Sequence, residues 1–574
     1  MEPPSYSSIL AQKVDDALAA LGHSRVGEKT LINLVTRPPA PDKGDFSLPV
    51  FRFTPPNSNP GALAQAIVTH LQPDDTFVRF IAMGPYVNAY LAPGRLAQEA
   101  LAKAAFSPSP PASDAPRVMV EYASPNTNKP LHVGHLRNIA LAQSIIALFE
   151  RAGKKVVKTQ VVNDRGVHIC KSMLAYQKWG NGKTPEFEKM KPDHFVGKYY
   201  TLFSIRANED PKLEEEAQAM LQQWEQENPS VRALWKRMNE WVEAGWNHTY
   251  SILGASFDIT YYESVFFAAG KEMVMQAYDK GLLKKADNGA IIVPLETYQL
   301  PDKPIVRGDG TTLYFTQDIA LAIRRMHEYP DLEKIIHIVG NEQEMHFKQL
   351  FATLDLMGVA PSHKFHHLGY GLLRLPTGKM SSREGTVVNA DDLLQELETL
   401  AHSEYDSRHP DLSPDEINRR SRIIALSAMR FFMIKQDARK EIVFDPKESL
   451  SFDGQTGPYL LYANARAQSV LHKSTRQPNP TQGGLLILPR EIELLTLLAQ
   501  KEDMIADAFA HYSPHILAHY LLSLANTFNT YYHETKVIQE NEEMEQARLA
   551  LVKGIHEVLE EGLRLLGIGT LEEM

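Results

Sequence analysis

A single cysteine in 574 residues, Cys170, excludes an intrachain disulfide and any zinc site built on several thiolates. Long apolar runs are also missing. No uninterrupted hydrophobic stretch approaches the roughly 20 residues that span a bilayer. The opening Met-Glu-Pro-Pro-Ser-Tyr has neither the basic nor the apolar segment of a secretory leader. The expectation is a cytoplasmic protein with no membrane association. An excess of positive charge is missing too: the 60 basic residues are outnumbered by 70 acidic ones for a formal net charge of -10, which taken globally argues against nucleic acid because phosphate binding is electrostatic. Local clustering matters more, and Arg419, Arg420, Arg422, Arg430, Lys435, Arg439 and Lys440 gather on one helical stretch. A solvated helix face explains that run equally well. The remaining composition, 43% hydrophobic and 23% charged, is that of an ordinary globular protein. The length calls for roughly three or four domains.

Residues 118–138 are the most informative. Val118 to Tyr122 reads as a strand, Pro125 and Pro130 fall in a polar turn, and a helix then starts around His132 and His135. A helix N-terminus offers unpaired N–H groups and the positive end of its dipole, so it attracts phosphate. Two imidazoles can add donors there, and Gly134 between them leaves room for a nucleotide against the backbone. For the tetrapeptide alone, a helix cap with two surface histidines is as good a reading. Gly378-Lys379-Met380-Ser381-Ser382-Arg383-Glu384-Gly385 shifts the balance, because its cations and hydroxyls sit between glycines and can address a triphosphate.

The first segment resembles the HIGH signature of class I aminoacyl-tRNA synthetases, and the second resembles their KMSKS loop. The resemblance implies ATP as nucleotide, contacted by His132, Gly134, His135, Lys379, Met380, Ser381 and Ser382. It implies Mg2+ travelling with ATP, held mostly by phosphates and water, with no tightly bound prosthetic group. The family's loop carries a second lysine where this chain has Ser382. Arginyl-tRNA synthetases often lack it and carry a lysine just upstream of HIGH, a place that Lys129 matches, while Arg383 is the other candidate. The catalytic set implied is His132, His135, Lys129, Lys379 and Arg383. His363, His366 and His367 cluster in sequence, but His366 and His367 on one strand point to opposite faces, so no metal site is inferred.

Along the chain, residues 1–108 read as a small α+β unit. Helical spacing from Tyr6 to Leu21 and from Gly61 to Leu71 precedes a strand within Gly84 to Leu91. Its Gly44-Asp45-Phe46 and Gly84-Pro85-Tyr86-Val87-Asn88 patterns resemble the tRNA-contacting N-terminal domain of arginyl-tRNA synthetases. Phe106 to Pro116 reads as a linker. Residues 109–400 alternate strand and helix in the manner of a Rossmann-type parallel α/β sheet. Strands are expected at Val118–Tyr122, Val156–Val162, Ile335–Val339 and Phe365–Tyr370, and a helix at Leu136–Arg151 ended by Gly153. A helical insertion of about 175–300 interrupts them, like the connective insertion of class I enzymes. Residues 401–455 read as a helical stem and 456–574 as an all-α domain similar to the anticodon-binding domain named for its Asp-Ala-Leu-Arg motif, although that tetrapeptide is not present as such. Tyr459, Tyr462 and Arg466 are its candidate tRNA contacts, and Phe528 is expected in its core.

The resemblance as a whole implies activation of L-arginine by ATP and transfer to the 3′-terminal adenosine of tRNA(Arg), by a monomer. A guanidinium calls for carboxylates and carbonyls in its plane. Tyr314 and Asp318 stand four apart, on one face of a helix, and the family's matching residues contact arginine. Glu121, Ser124, Asn126, Glu263 and Gln343 carry over with them, and Asn163-Asp164-Arg165-Gly166 reads as a wall of the site with no assigned role. Two rivals stay open: another class I synthetase, whose pocket has no need of Glu121, Tyr314 and Asp318, and a non-catalytic tRNA-binding relative.

Overall fold

The computed structural model describes residues 6–36, 38, 43–105, 112, 114–308, 314–374, 376 and 388–574, apart from the side chains at 267–269, 271 and 314. The N-terminal unit is an antiparallel sheet of β1 (Phe46–Pro49), β2 (Phe77–Met83) and β3 (Tyr86–Leu91), in the order β1-β3-β2. The helix Pro60–His70 packs on β2 and β3, and it starts where the Asn59 side chain accepts the amides of Gly61 and Ala62. The helix Tyr6–Ala20 and β3 match the sequence pattern, and β2 is added to it. Most of the expected linker lies outside the described residues.

The central sheet consists of β4 (Arg117–Glu121), β5 (Lys155–Val162) and β6 (Ile259–Tyr262). Beyond a small antiparallel sheet of β7 (Lys284–Lys285), β8 (Ile291–Val293) and β9 (Lys303–Val306), it is completed by β10 (Leu332–Gly340) and β11 (Phe365–Tyr370). Its strands are all parallel, in the order β11-β10-β4-β5-β6. The chain winds outward from β4 through β5 and β6, then returns to the other side of β4 and continues through β10 to β11. That is the doubly wound nucleotide-binding order, and its reversal between β4 and β10 opens a crevice at the carboxyl ends of those strands. Val118, Met119 and Val120 are buried, as a strand covered on both faces requires.

The crossover from β4 to β5 is the helix Val133–Arg151. It stops in a Schellman arrangement, with Gly153 at φ 75° donating to Glu150 and Lys154 donating to Phe149. The following stretch is helical through Val167–Trp179, Pro192–Glu209, Lys212–Glu225 and Pro229–Leu253, around buried Phe195, Phe203, Trp224 and Trp246. It is not helical to residue 300. Ile-Thr-Tyr-Tyr of β6 pairs with β5 and extends the main sheet, a β-branched and aromatic run too short to show against its helical surroundings.

After a short parallel pair, β12 (Leu373–Arg374) and β13 (Ile442–Val443), the chain is helical to its end, from Gly457–Lys473 to Glu542–Leu565. Phe528 is fully buried there, as expected. The basic run does not form a free face. Arg419 and Arg420 pair with Glu416, and Arg422 pairs with Glu398. Arg430 donates to the carbonyls of Gly567 and Leu253, and burial pulls its guanidinium down to about 10. Arg430, with Arg420 through the Glu573 carbonyl, joins the stem to its neighbours, while Arg419 pairs within its own helix. Their helix ends at Ile434, so Lys435, Arg439 and Lys440 lie beyond it.

Candidate active site

The carboxyl end of β4 turns sharply into the crevice. Ala123 and Ser124 follow Glu121 with φ of 64° and 46°, a left-handed conformation costing about 1–3 kcal/mol at each non-glycine residue. Neighbouring elements over-determine it. The Ala123 amide donates to Asn138 Oδ1 at 2.6 Å, and Asn138 Nδ2 donates to the Ile338 carbonyl at 2.6 Å. The Val161 amide donates to Ser124 Oγ at 3.1 Å, so that hydroxyl holds the turn against β5.

The turn delivers His132 to the N-cap of the helix Val133–Arg151, where both histidines close a reciprocal box. His132 Nδ1 accepts the Gly134 amide at 3.1 Å, and His135 Nδ1 accepts the His132 amide at 3.0 Å. An Nδ1 that accepts leaves the proton on Nε2. Burial is the main force lowering both imidazoles, His132 to about 4 and His135 well below the usual range, with Lys129 adding to each. Two neutral rings, 4.0 Å between centres, therefore each keep an Nε2–H donor.

This geometry corrects two expectations. The first amides of the helix are not free for phosphate. Val133 donates to Val388, Gly134 to the His132 ring and His135 to the His132 carbonyl. The room at Gly134 is taken up in part by an imidazole, since a Cβ there would lie 2.8 Å from His132 Cε1. Donors toward an anion are left to the imidazoles and to Lys129. Lys129 is pulled below the ordinary lysine range by burial, and no carboxylate pairs with it among the described residues.

Lys379, Met380, Ser381, Ser382 and Arg383 lie outside the described residues, but the chain on either side of them is anchored at the histidines. On one side, Ala390 donates to the Leu131 carbonyl at 2.9 Å and Asn389 bridges to His132. On the other, the fully buried Arg137 of the signature helix donates to the carbonyls of Gly371 and Ala438.

At the switch point, lined by the turn that leads to His132, lies a cavity of about 520 Å³. Glu121, Ser124, Asn126, Glu263, Asp318 and Gln343 all line it, six residues expected at arginine and drawn from separate segments. Tyr314 begins the helix Tyr314–Glu328 that carries Asp318, and its side chain lies outside the described residues. Each acid has a basic neighbour. Glu121 receives Arg325 and His337, Asp318 receives His346 Nε2 at 2.9 Å, and Glu263 faces Arg165 at 3.8 Å. Burial raises the Glu121 carboxyl, but Arg325 and then His337 outweigh it and hold it well below the usual range. Burial, with Asp164 and Asp318 adding and Arg165 opposing, pushes Glu263 up to about 7.

The Asn163-Asp164-Arg165 wall gains roles here. Asp164 accepts the amide and hydroxyl of Ser264 and so fixes the helix start that bears Glu263, while the Asn163 carbonyl accepts the Thr127 amide. Arg165, His168, Arg325, His337 and His346 are lining residues that the sequence reading does not assign. A local signal existed for Arg165, inside the Asn-Asp-Arg-Gly segment, and for His168, two residues beyond it. His367 stacks on Phe347 at 4.6 Å and His366 meets Tyr512 edge-on at 4.6 Å, so these two strand histidines pack apart.

A second cluster lies on the helical domain. Arg466 sits 4.5 Å from the ring centre of Tyr462 and 4.8 Å from that of Tyr532, and it donates to Tyr462 Oη and Asn529 Oδ1. Both tyrosines are part-exposed, and they border a cavity of about 370 Å³. Tyr459 donates to Asn526 Oδ1 at 2.6 Å. Tyr532 is absent from the sequence expectation.

A doubly wound sheet with a histidine-capped helix at its switch point, tied to the residues that flank a distant lysine-serine segment, defines a class I aminoacyl-tRNA synthetase fold. The family described as class I (R) tRNA synthetases, catalytic domain, matches residues 97–446. The arginyl tRNA synthetase N terminal domain matches 8–91, and the DALR anticodon binding domain matches 460–574 even without the motif tetrapeptide. The arginine--tRNA ligase of Bacteroides thetaiotaomicron is 39% identical over 98% of this chain and 99% of its own length. That of Treponema denticola is 39% identical over 95% of each. The Thermus thermophilus arginyl-tRNA synthetase structure superposes with a TM-score of 0.79 at 28% identity, covering 99% of this chain and 100% of that one. The chain belongs to the arginyl-tRNA synthetase family.

Proposed function

We propose that this arginine–tRNA ligase divides its work among Lys129, His132 and His135 at the phosphates, Lys379 and Arg383 on the loop, and Glu121, Asn126, Glu263, Tyr314, Asp318 and Gln343 at arginine. The observation that supports it is the convergence of acids and amides from separate segments on one cavity, lined in part by the turn that leads to the two capping imidazoles. The arginine carboxylate attacks the α-phosphorus of ATP, the bond to pyrophosphate breaks, and the arginyl group then passes from the adenylate to the terminal adenosine of tRNA. No covalent bond to the protein is needed. Positioning, with stabilisation of charge on the phosphates, carries the reaction.

Lys129, His132 and His135 supply donors and no carboxylate, so they suit the polyphosphate itself. The accompanying Mg2+ is held by phosphate oxygens and water. Ser124 supports the turn through its hydroxyl while lining the pocket. Tyr459, Tyr462 and Arg466, joined by Tyr532, present stacking faces and a cation to unpaired bases of tRNA(Arg). The units 1–108, 109–400, 401–455 and 456–574 act together as a cytoplasmic monomer. No helix among the described residues is long and apolar enough to cross a membrane.

The test is pyrophosphate exchange into ATP with each of the twenty amino acids, with and without tRNA. Exchange with arginine alone, dependent on tRNA, is expected, and exchange with another amino acid overturns the reading. Lys129→Ala is expected to slow activation by about ten- to a hundredfold, the worth of one charged contact, with the KM for arginine little changed. Unchanged turnover removes Lys129 from the mechanism.

A further inference from the structure

Arg325 and His337 are buried at the arginine cavity and have no role in the reaction derived above. Arg325 lies on the helix Tyr314–Glu328 and is 1% exposed, and His337 is the register partner of Glu121 on β10. Both donate to the same carboxylate oxygen, Glu121 Oε2, Arg325 through Nη1 at 2.5 Å and His337 through Nδ1 at 3.1 Å. Glu121 Oε1 has no partner among the described residues, and Glu121 lines the cavity.

A guanidinium beside a carboxylate ordinarily takes both oxygens in a two-armed fork. Arg325 does not. Its Nε and Nη2 are buried without a hydrogen-bond partner, and the guanidinium instead packs 4.9 Å from the ring centre of Tyr261. Tyr261 is held in turn by its hydroxyl on Glu328 Oε2 at 2.7 Å, and His337 packs against the rings of Phe347 and Phe351. Forgoing two donors is unfavourable in a buried site. What the arrangement gains is a free carboxylate oxygen whose direction is fixed.

We propose that Arg325 and His337 are positioning residues: they lock Oε2 of Glu121 and so aim Oε1 alone into the cavity as an acceptor for a cationic N–H group of the substrate arginine. The proposal rests on Glu121 being a substrate contact. Arg325 has a second effect, since without it a buried carboxylate would take up a proton and lose its attraction for a cation. The other charged or titratable groups lining the cavity around Glu121 are His337 on β10, Glu263, Asp318, Arg165, His168 and His346.

The experiment is arginine-dependent, tRNA-supported pyrophosphate exchange by E121Q, R325M, R325K, H337N and the double variants with E121Q, with melting curves for each. In R325M the KM for arginine is expected to rise by about tenfold or more while the KM for ATP stays put, and R325K recovers part of the loss. The R325M effect should vanish in the E121Q background, because a residue acting through Glu121 has nothing left to position. The fall in the KM of R325M as pH rises through the neutral range should exceed that of E121Q/R325M, which keeps only the part contributed by Glu263. Effects of R325M and E121Q that multiply, or an unchanged arginine KM in R325M, overturn the proposal and leave Glu121 as a contact. An unchanged arginine KM in E121Q overturns the underlying reading, and the positioning role with it. If R325M melts before assay, R325K and H337N decide by the same criterion: each raises the arginine KM only while Glu121 is present.

Discussion

His135→Asn is expected to leave the protein folded and to lower the rate of arginine activation by about a hundred- to a thousandfold, the usual cost of one preorganised donor to developing charge. The imidazole does two separable things. Its Nδ1 accepts the His132 amide and closes the helix cap, and its Nε2–H is the donor proposed for the phosphates. Asparagine places an oxygen near the Nδ1 position, so the cap survives, but it has nothing at Nε2. Glutamine reaches the Nε2 position with an N–H and abandons the cap. His135→Gln should therefore regain part of the turnover while melting earlier. Pyrophosphate exchange and thermal melts on the pair separate the roles. Full turnover in the asparagine variant, or equal loss in both with equal melting points, would sink the assignment.

The same histidines set a pH dependence whose sign is fixed. Folded His132 titrates near 4, whereas an unfolded histidine takes its proton near about 6.5. Between those values the unfolded chain binds more protons, so their contribution to stability weakens as pH falls through that window. Neither ring should charge in the folded state near neutrality. An acid limb of activity around pH 6 or above belongs to other groups.

Much of this site could be read from the chain because its parts are local. The strand, the turn and the capped helix from Val118 to Arg151 are contiguous, and their spacing alone implies the geometry. Gly153 announces the end of that helix by the left-handed conformation it adopts. The buried partners were not legible. Arg325, His337 and His346 reach their acids across distant segments, and an arginine or histidine on a helix or strand looks like a surface residue until the sheet order places it. β6 failed for a related reason, since four residues carry too little period to be told from a helical neighbourhood. The amides at the signature helix misled in the opposite direction. A free helix N-terminus is the general case, and here a histidine side chain and a segment from beyond the loop had already used them.

Asp318→Asn is expected to raise the KM for arginine by about ten- to a hundredfold while changing the KM for ATP by less than about twofold. Asp318 lies at 40% side-chain exposure with His346 on Oδ2, so its contribution is that of a part-solvated ion pair rather than a fully buried one. Asparagine keeps the shape and an acceptor for His346 but loses the charge that a guanidinium needs. Citrulline, the neutral isostere, should therefore close much of its gap to arginine in this variant. A further readout shows whether the effect is local. Asp318 is one of the charges that push Glu263 up to about 7. Ionised Glu263 binds a guanidinium better than its protonated form, so the wild-type KM for arginine should fall as pH rises through about 7. With Asp318 neutralised, Glu263 ionises more readily and that inflection should move to lower pH. A raised KM with an unmoved inflection would mean that Asp318 acts from outside the cavity. Equal losses for arginine and ATP would make it a structural residue.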